Sequence, residues 1–170
     1  IGAVEYVAPL TTFIVNTTND TIDVNIGNGT VEDSDGNVSL RAAILEANAL
    51  PGQQIIQVPA GTIQLTLEGL DDTGFAGDLD ILDDLIIESI GGAVIVDAGG
   101  LDRVFQVNSA TVSIDGVSMQ NGSTTFAGGF YGFNSNVTLS TLTVNSNTAT
   151  GAVNSNGGGL LQEQGILTLD

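Results

Sequence analysis

Carboxylates are the only reactive groups that are concentrated in this sequence. Six aspartates lie between positions 71 and 84, namely Asp71, Asp72, Asp78, Asp80, Asp83 and Asp84. On neighbouring turns of a compact fold, such carboxylates can converge on one cation, and Ca²⁺ is a hard cation that takes oxygen ligands. These residues are therefore candidate ligands of a structural calcium ion. The alternative is that they are ordinary solvated carboxylates.

A second oxygen-rich segment is Asp33-Ser34-Asp35-Gly36-Asn37. The alternation of Asp33, Asp35 and Asn37 is typical of the first half of a calcium-binding loop. A full loop would also need an acid at its start and a bidentate Glu at its end, but Val31 and Ala42 stand near those places. Calcium is the one cofactor that this composition suits, and its role would be structural.

The residue types that are missing exclude most catalytic chemistry. The 170 residues include two Arg and no Lys, His or Cys, against 20 Asp plus Glu, for a formal net charge of -18. This excludes disulfides, thiolate nucleophiles, imidazole bases and conventional zinc sites. Nucleic acid is not an expected partner, because two cations cannot neutralise several phosphates. No uninterrupted apolar run is long enough to span a bilayer, so we expect no membrane insertion.

Paired aspartates also occur in glycosidases, where two carboxyl groups act on one glycosidic bond. Asp71-Asp72 or Asp83-Asp84 could supply the acids, but no basic cluster is present to hold an anionic polysaccharide. Arg41 and Arg103 lie far apart in the sequence. We therefore predict no catalytic residues and no enzyme. A polysaccharide-binding or polysaccharide-cleaving module remains an alternative.

Four aromatic residues cluster near one turn, at Phe126, Phe130, Tyr131 and Phe133. Such rings can stack on a sugar, or they can pack in a core or a turn. Ice binding is a further alternative, because Thr138, Ser140, Thr141 and Thr143 could order water on a flat sheet. The neighbouring repeats do not carry the same pattern, which favours ordinary strand polarity.

Internal repeats indicate the fold that must position these groups. Val112-Ser113-Ile114 aligns with Val137-Thr138-Leu139 and with Leu167-Thr168-Leu169. Period-2 alternation that recurs at such intervals, with no helix between the strands, is typical of a solenoid whose coils stack strand on strand. The sequence predicts an all-β fold, a right-handed parallel β-helix with a short N-terminal capping α-helix. Further strands are predicted at Phe13–Asn16, Ile55–Val58, Thr62–Leu67, Leu85–Glu88, Ala93–Val96 and Arg103–Val107.

One segment has helical rather than strand periodicity. Leu40, Ala43, Ile44 and Ala47 recur at helical spacing after Ser39, a good N-cap, and before Pro51-Gly52, a stop signal. We predict a helix over residues 39–49 that covers the open end of the core, as terminal caps of repeat proteins do. The predicted organisation is an extension or exchanged strand at 1–12, a cap at 13–52, and coils at 53–170, the last one incomplete.

The segment Val38-Ser39-Leu40-Arg41-Ala42-Ala43-Ile44 resembles the Cys-Ser-Leu-Arg-Glu-Ala-Ile cap motif of secreted bacterial parallel β-helix proteins. Here Val38 replaces the Cys and Ala42 replaces the Glu. Further segments match that family in order, at Pro59-Ala60-Gly61-Thr62, Gly77-Asp78-Leu79-Asp80-Ile81 and Gly99-Gly100-Leu101-Asp102-Arg103-Val104-Phe105. The resemblance implies the β-helix fold and export, and says little about activity.

Gly128-Gly129-Phe130 followed by Phe133-Asn134-Ser135-Asn136 is similar to the repeats of polymorphic outer-membrane surface proteins. That resemblance implies a surface-exposed, often adhesive β-helix. The chain also begins at Ile1 without a basic targeting region, as a mature chain or a fragment would. We therefore expect a secreted or cell-surface location.

Both ends of the sequence predict contacts with other copies of the chain. Ile166, Leu167 and Leu169 belong to a coil whose remaining strands are absent, and Val4, Tyr6 and Val7 form an apolar strand-like segment. Open strand edges pair with other strands, and head-to-tail contacts that do not close give filaments. The predicted function is a non-catalytic extracellular protein that assembles end to end into an acidic fibre. A stalk fragment of a large adhesin is the alternative.

Six Asn-x-Ser/Thr sequons are candidate glycosylation sites if the source organism glycosylates exported proteins. They lie at Asn16, Asn19, Asn28, Asn37, Asn121 and Asn136.

Overall fold

The computed structural model describes residues 10–151 and 157–170, and shows a parallel β-solenoid of about four turns with one short helix. The elements are β1 (Thr11–Ile14), α1 (Leu40–Ala49), β2 (Gln54–Gln64), β3 (Leu79–Ile81), β4 (Leu85–Asp97), β5 (Phe105–Asn108), β6 (Thr111–Asp115), β7 (Val117–Gln120), β8 (Ser123–Thr124), β9 (Phe130–Ser140), β10 (Val144–Asn145), β11 (Thr148–Ala149) and β12 (Leu160–Leu169). All pairings between these strands are parallel.

Ten of the described strands stack into three faces, and β8 pairs with β11 in a separate two-stranded sheet. On the first face, β1, the start of β2, the start of β4, β6, the end of β9 and the end of β12 lie in that order. The second face carries the end of β2, the end of β4, β7 and β10. The third face carries β3, β5, the start of β9 and the start of β12. Long strands such as β2 therefore turn a corner, where the register shifts between Pro59 and Gly61.

The alignment of the internal repeats predicted the register in which the strands of the first face pair. Val112 pairs with Val137 and Val137 with Leu167, as the alignment of the repeats predicts. The inward positions of these strands are aliphatic and buried, with Ile56, Ile87, Ile114 and Leu139 all 1% exposed or less. Because side chains alternate across a strand, a one-residue slip would move this whole set to solvent, which explains why the register is well specified.

Helix α1 begins and ends where its sequence signals predict. Ser39 is the N-cap, and its Oγ accepts a hydrogen bond from the Ala42 N–H at 3.0 Å. The chain leaves the helix at Leu50, and Gly52 then adopts a φ of 82°, in the left-handed region that glycine tolerates best. Every residue from Leu40 to Ala47 is buried, so the helix lies inside the cap rather than on its surface.

The parallel sheet begins slightly earlier than the predicted boundary at residue 13. Thr11 and Thr12 already belong to β1, where they pair with Gln54 and Ile55 of β2 in the same chain. These two residues therefore belong to the solenoid itself. No helix in the described ranges is long and apolar enough to cross a membrane.

Candidate functional site

Arg41 links the cap helix to the first coil. Its Nε lies 2.6 Å from Asp20 Oδ1, and its two terminal nitrogens donate to the carbonyls of Gly74, Gly77 and Asp78 at 2.8 to 2.9 Å. The side chain is 1% exposed. All three guanidinium nitrogens of Arg41 are therefore engaged, and this cation holds the loop before β3 against α1.

Other cap side chains complete the hydrogen bonding of the first coil. Asp20 Oδ2 accepts from the backbone N–H groups of Thr66 and Leu67 at 2.7 and 3.0 Å. Asn48, on α1, donates to the Asp80 carbonyl at 2.8 Å and accepts from the Leu82 N–H at 2.9 Å. Asn48 thus takes the place of a preceding strand beside β3, and Asp20 supplies an acceptor to the backbone that follows β2.

A polar cleft of about 210 Å³ opens where the loop before β3 meets the segment before β5. We call it the arginine cleft; it is lined by Leu70, Asp71, Asp72, Asp78, Asp102, Arg103 and Thr124. The parallel stacking creates it, because β3 and β5 pair in register and bring Asp78 next to Arg103, which lies one coil further along the chain. Its walls therefore come from successive coils.

Arg103 is held from several sides. Its Nε lies 2.9 Å from Asp78 Oδ2, although neither atom makes a hydrogen bond of acceptable geometry. One terminal nitrogen donates to Gln106 Oε1 at 2.5 Å. The guanidinium carbon lies 5.8 Å and 5.2 Å from the ring centroids of Phe126 and Tyr131, which is cation–π range.

The two buried carboxyl groups beside this cleft, Asp78 and Asp80, have raised pKa values. Asp78 is 2% exposed and Asp80 is fully buried. Burial, followed by the charge of Asp80, raises the pKa of Asp78 to about 8. Burial, followed by the charges of Asp71 and Asp72, raises the pKa of Asp80 to about 7. Both oxygens of Asp80 lack a hydrogen-bond partner, which favours the neutral form of the pair.

The six clustered aspartates predicted as calcium ligands do not form one group. The charges of Asp71 and Asp72 act on Asp80, and that of Asp80 on Asp78, so these four lie close together. In contrast, Asp84 accepts from the Thr111 N–H at 2.6 Å on the first face, and Asp83 accepts from the Asp84 N–H at 2.8 Å. Within the described ranges, no three acidic side chains form a group that could hold a metal ion.

The Asp33 segment is a turn built on one buried carboxylate. Asp33 Oδ1 accepts from the N–H groups of Asp35 and Asn37 and from the Asn37 amide, and Oδ2 accepts from the Thr21 hydroxyl. Burial raises the pKa of Asp33, but these hydrogen bonds outweigh it and the net pKa is lowered. The side chain of Asp35 is exposed. The oxygens that the sequence suggests for calcium are thus already engaged by internal donors at Asp33.

The predicted interface residues lie at the β12 end. Ile166 and Leu169 are 63% and 61% exposed, and Leu167 packs partly against the core. On the first face β12 pairs only with β9 and β1 only with β2 among the strands described. Val4, Tyr6 and Val7 lie outside the described residues.

The asparagine side chains of the six sequons differ in their exposure and in the hydrogen bonds that they make. Asn37 and Asn121 use their amide nitrogens to donate to Asp33 and Asp97, at 3.3 and 2.9 Å. The amide oxygens of Asn16 and Asn28 accept from backbone N–H groups at 2.8 and 2.7 Å, and both residues are exposed. Asn19 and Asn136 are exposed as well.

Comparisons with protein-family models, with curated proteins and with solved structures give no match for this chain. The structure itself identifies residues that the sequence analysis did not single out as functional. They are Asp20 and Asn48 in the cap, and Asp102 and Gln106 at the arginine cleft. Only the position of Asn48 near the end of α1, facing the first coil, carried a sequence signal that could have indicated its role.

Proposed function

We propose that the protein is a non-catalytic, extracellular structural subunit that assembles end to end into an acidic fibre. The observation that carries the proposal is that, among the described strands, the first and last strands of the first face are each paired on one side. β1 pairs with β2 alone and β12 with β9 alone among the described strands, and all strands on this face run in the same direction. The β12 edge of one copy can therefore receive β1 of the next copy in the parallel arrangement of the solenoid.

The side chains at the β12 end also favour such a contact. Leu167 and Leu169 stack on Val137 and Leu139 and continue the aliphatic interior, yet Leu169 is still 61% exposed. Covering them would remove apolar surface from water, which is worth about 25 cal/mol per Å² before the cost of association. A contact between two different edges does not close on itself, so repeated addition gives a filament.

The use of the two arginines supports a structural rather than a catalytic role. Arg41 is buried among carbonyls and Asp20, and Arg103 is paired with Asp78 beside two rings. With only these two cations in the sequence, there is no basic cluster to hold an anionic polymer. The sequence resemblance to secreted β-helix proteins supports an extracellular location.

The test is negative-stain electron microscopy and light scattering of the purified chain, with and without millimolar CaCl₂. We expect regular filaments whose formation is abolished in Leu169→Asp, because a carboxylate then enters the apolar layer at the joint. The matched control is Thr138→Asp, which places the same charge on the outer side of β9, inside the stack. Filaments that persist in Leu169→Asp would contradict assembly through β12.

A chain that stays a short monomeric rod even at millimolar concentration would also overturn the proposal. That outcome would instead favour the stalk of a larger adhesin, since a stalk needs no contact between copies. Filaments that form only when CaCl₂ is present would support end-to-end assembly and would indicate that calcium binds where two copies meet.

A further inference from the structure

We propose that a groove in the cap is a docking site for a cationic polypeptide segment that carries apolar side chains. The groove has a volume of about 930 Å³ and lies between the chain around the Asp33 turn, the segment after β2 and the loop before β3. We call it the cap groove, and the lining residues that matter here are Ile22, Asp23, Val24, Asp33, Glu68 and Phe75. This inference does not rest on the filament proposal, because none of the lining residues belongs to β1 or β12.

Three apolar side chains from two separate segments are exposed in the cap groove. Ile22 and Val24 are 41% and 55% exposed, and Phe75, in the loop before β3, is 47% exposed. Single exposed apolar residues are ordinary on a protein surface, but several that share one concave site are typical of an interaction surface. Covering them with apolar side chains of a partner would remove this surface from water, which favours binding.

Hydrogen bonds fix the walls of the cap groove before a partner arrives. Thr21 Oγ1 donates to Asp33 Oδ2 at 2.9 Å, which joins the two cap segments on one side of the groove. On the other side, Arg41 donates to the carbonyl of Gly74 at 2.8 Å and so holds the residue next to Phe75. A site that is already formed loses less conformational entropy on binding, so the groove is suited to a specific partner.

Carboxylates give the cap groove a negative charge. Asp23 and Asp33 line it and are each 4% exposed, and Glu68 is exposed at its surface. Hydrogen bonds hold the pKa of Asp33 below its ordinary value, so this group is charged at neutral pH. Neither arginine of the sequence lines the groove. Such a surface attracts cations, so a Lys or Arg beside the apolar side chains of a partner complements it.

Other occupants do not combine apolar surface with available positive charge. Nucleic acid and anionic lipid would be repelled by the carboxylates of the groove. A second copy has two cations to offer, and both are engaged in its own ion pairs, Arg41 with Asp20 and Arg103 with Asp78. Within the described ranges the acids form no group that could hold a metal ion. The groove therefore fits a segment of a different protein in which Lys or Arg alternates with apolar residues.

The test is titration calorimetry of the full chain with three synthetic peptides of equal length. The first is built of leucine and lysine, the second has glutamate in place of every lysine, and the third has serine in place of every leucine. We expect the leucine-lysine peptide to bind with a Kd of about 100 μM or tighter, and the other two at least tenfold more weakly. Its binding should weaken between about 20 and 200 mM NaCl, because salt screens the charges. Amide chemical shifts in NMR spectra should change most at Val24 and Phe75.

Variants that keep the net charge separate the groove from a general attraction to an acidic protein. Phe75→Ser should weaken binding of the leucine-lysine peptide at least tenfold, and Val24→Ser at least threefold. The matched control is Phe133→Ser, which removes the same ring from a 36% exposed position on β9 and should leave the Kd unchanged. Glu68→Gln should weaken binding more than Glu163→Gln, which removes an equal charge from an exposed position on β12. Circular dichroism verifies that each variant is folded.

The proposal is overturned if either altered peptide binds as tightly as the leucine-lysine peptide, or if Phe75→Ser binds that peptide as tightly as Phe133→Ser. Nuclear Overhauser contacts between residues 1–9 and Phe75 in the free chain would assign the groove to the chain itself and also overturn it. Self-association that is lost in Phe75→Ser but kept in Leu169→Asp would assign the groove to a second copy, with the same consequence. Failure of peptide binding leaves the filament proposal intact, because electron microscopy of Leu169→Asp tests that proposal separately.

Discussion

At the scale of single residues, the pKa of a buried aspartate is lowered at one position of this protein and raised at another. Asp33 is buried among four hydrogen-bond donors, and its pKa is lowered. Asp80 is also buried, but neither of its oxygens makes a hydrogen bond of acceptable geometry, and burial together with the charges of Asp71 and Asp72 raises its pKa. Burial alone therefore does not decide the charge of an aspartate; the donors and the other charges around it decide it too.

The raised pKa values of Asp78 and Asp80 predict a loss of stability with rising pH. For an acid whose pKa is higher in the folded than in the unfolded state, stability is fully present below the unfolded value of 3.8 and is lost as the pH rises through the folded values of about 7 and 8. In Asp80→Asn this charge cannot form. We expect its gain in free energy of unfolding over the parent chain to be larger at pH 8 than at pH 5, by on the order of 2 kcal/mol.

Urea unfolding of both proteins at the two pH values measures this difference. The control is Asp35→Asn, which removes an equal charge from an exposed position. It corrects for the general self-repulsion of an acidic chain. An equal change in the two variants would mean that Asp80 is ionised without cost in the folded protein.

At the scale of elements, α1 acts as a substitute for a missing strand. Its Asn48 side chain offers one donor and one acceptor to the backbone of the segment from β3 to Leu82, as a neighbouring strand would. Asp20 does the same for the backbone after β2. The helix therefore does more than cover apolar side chains, because Asn48 also gives hydrogen-bond partners to backbone groups of the first coil.

Replacement of Asn48 should expose this role. In Asn48→Ala, the part-buried Asp80 carbonyl and the exposed Leu82 N–H lose their Asn48 partner, and each lost hydrogen bond removes about 0.5–1.5 kcal/mol of stability. We expect a lower free energy of unfolding and faster hydrogen exchange at the Leu82 amide. Asn25→Ala, at an exposed position before the cap helix, is the control and should change neither quantity. Unchanged exchange at Leu82 in Asn48→Ala would contradict the strand-substitute role.

At the scale of the whole molecule, the large net negative charge creates electrostatic repulsion that opposes folding. A net charge of -18 is carried by 170 residues, and 17 of the 20 acids lie at or before Asp102. The compact state therefore brings many like charges together in the cap and the first coils. Such repulsion opposes folding and is weakened by salt.

We accordingly expect the melting temperature at pH 7 to rise by several degrees between about 10 mM and 300 mM NaCl, as the Debye length shortens from about 30 Å to less than about 8 Å. The same salt step near pH 4 should have little effect, since many carboxylates are then neutral. Differential scanning calorimetry at the two pH values measures both. A salt effect of equal size at pH 4 would show that it does not come from carboxylate repulsion.

The sequence by itself determined the coil architecture. The predicted alignment of Val112 with Val137 and Leu167 is the observed register, because alternation of aliphatic and polar residues along a strand is local and repeats in every coil. The helix was equally predictable, since Ser39 and the Pro51-Gly52 stop act on their immediate neighbours. β3 was not among the predicted strands, because Leu79–Ile81 is very short and reads as part of an acidic loop.

Only the tertiary structure decided which polar groups meet. Asp80 and Asp84 look alike in the sequence, yet Asp80 lies among other carboxylates while Asp84 accepts from Thr111 on another face. The partner of Asp78 is Arg103, which the stacking of β3 on β5 brings to within 2.9 Å. Contacts between coils depend on how far each loop extends and which corner it crosses. The length and path of each loop are set by packing across the whole solenoid, and they cannot be predicted from a local sequence pattern.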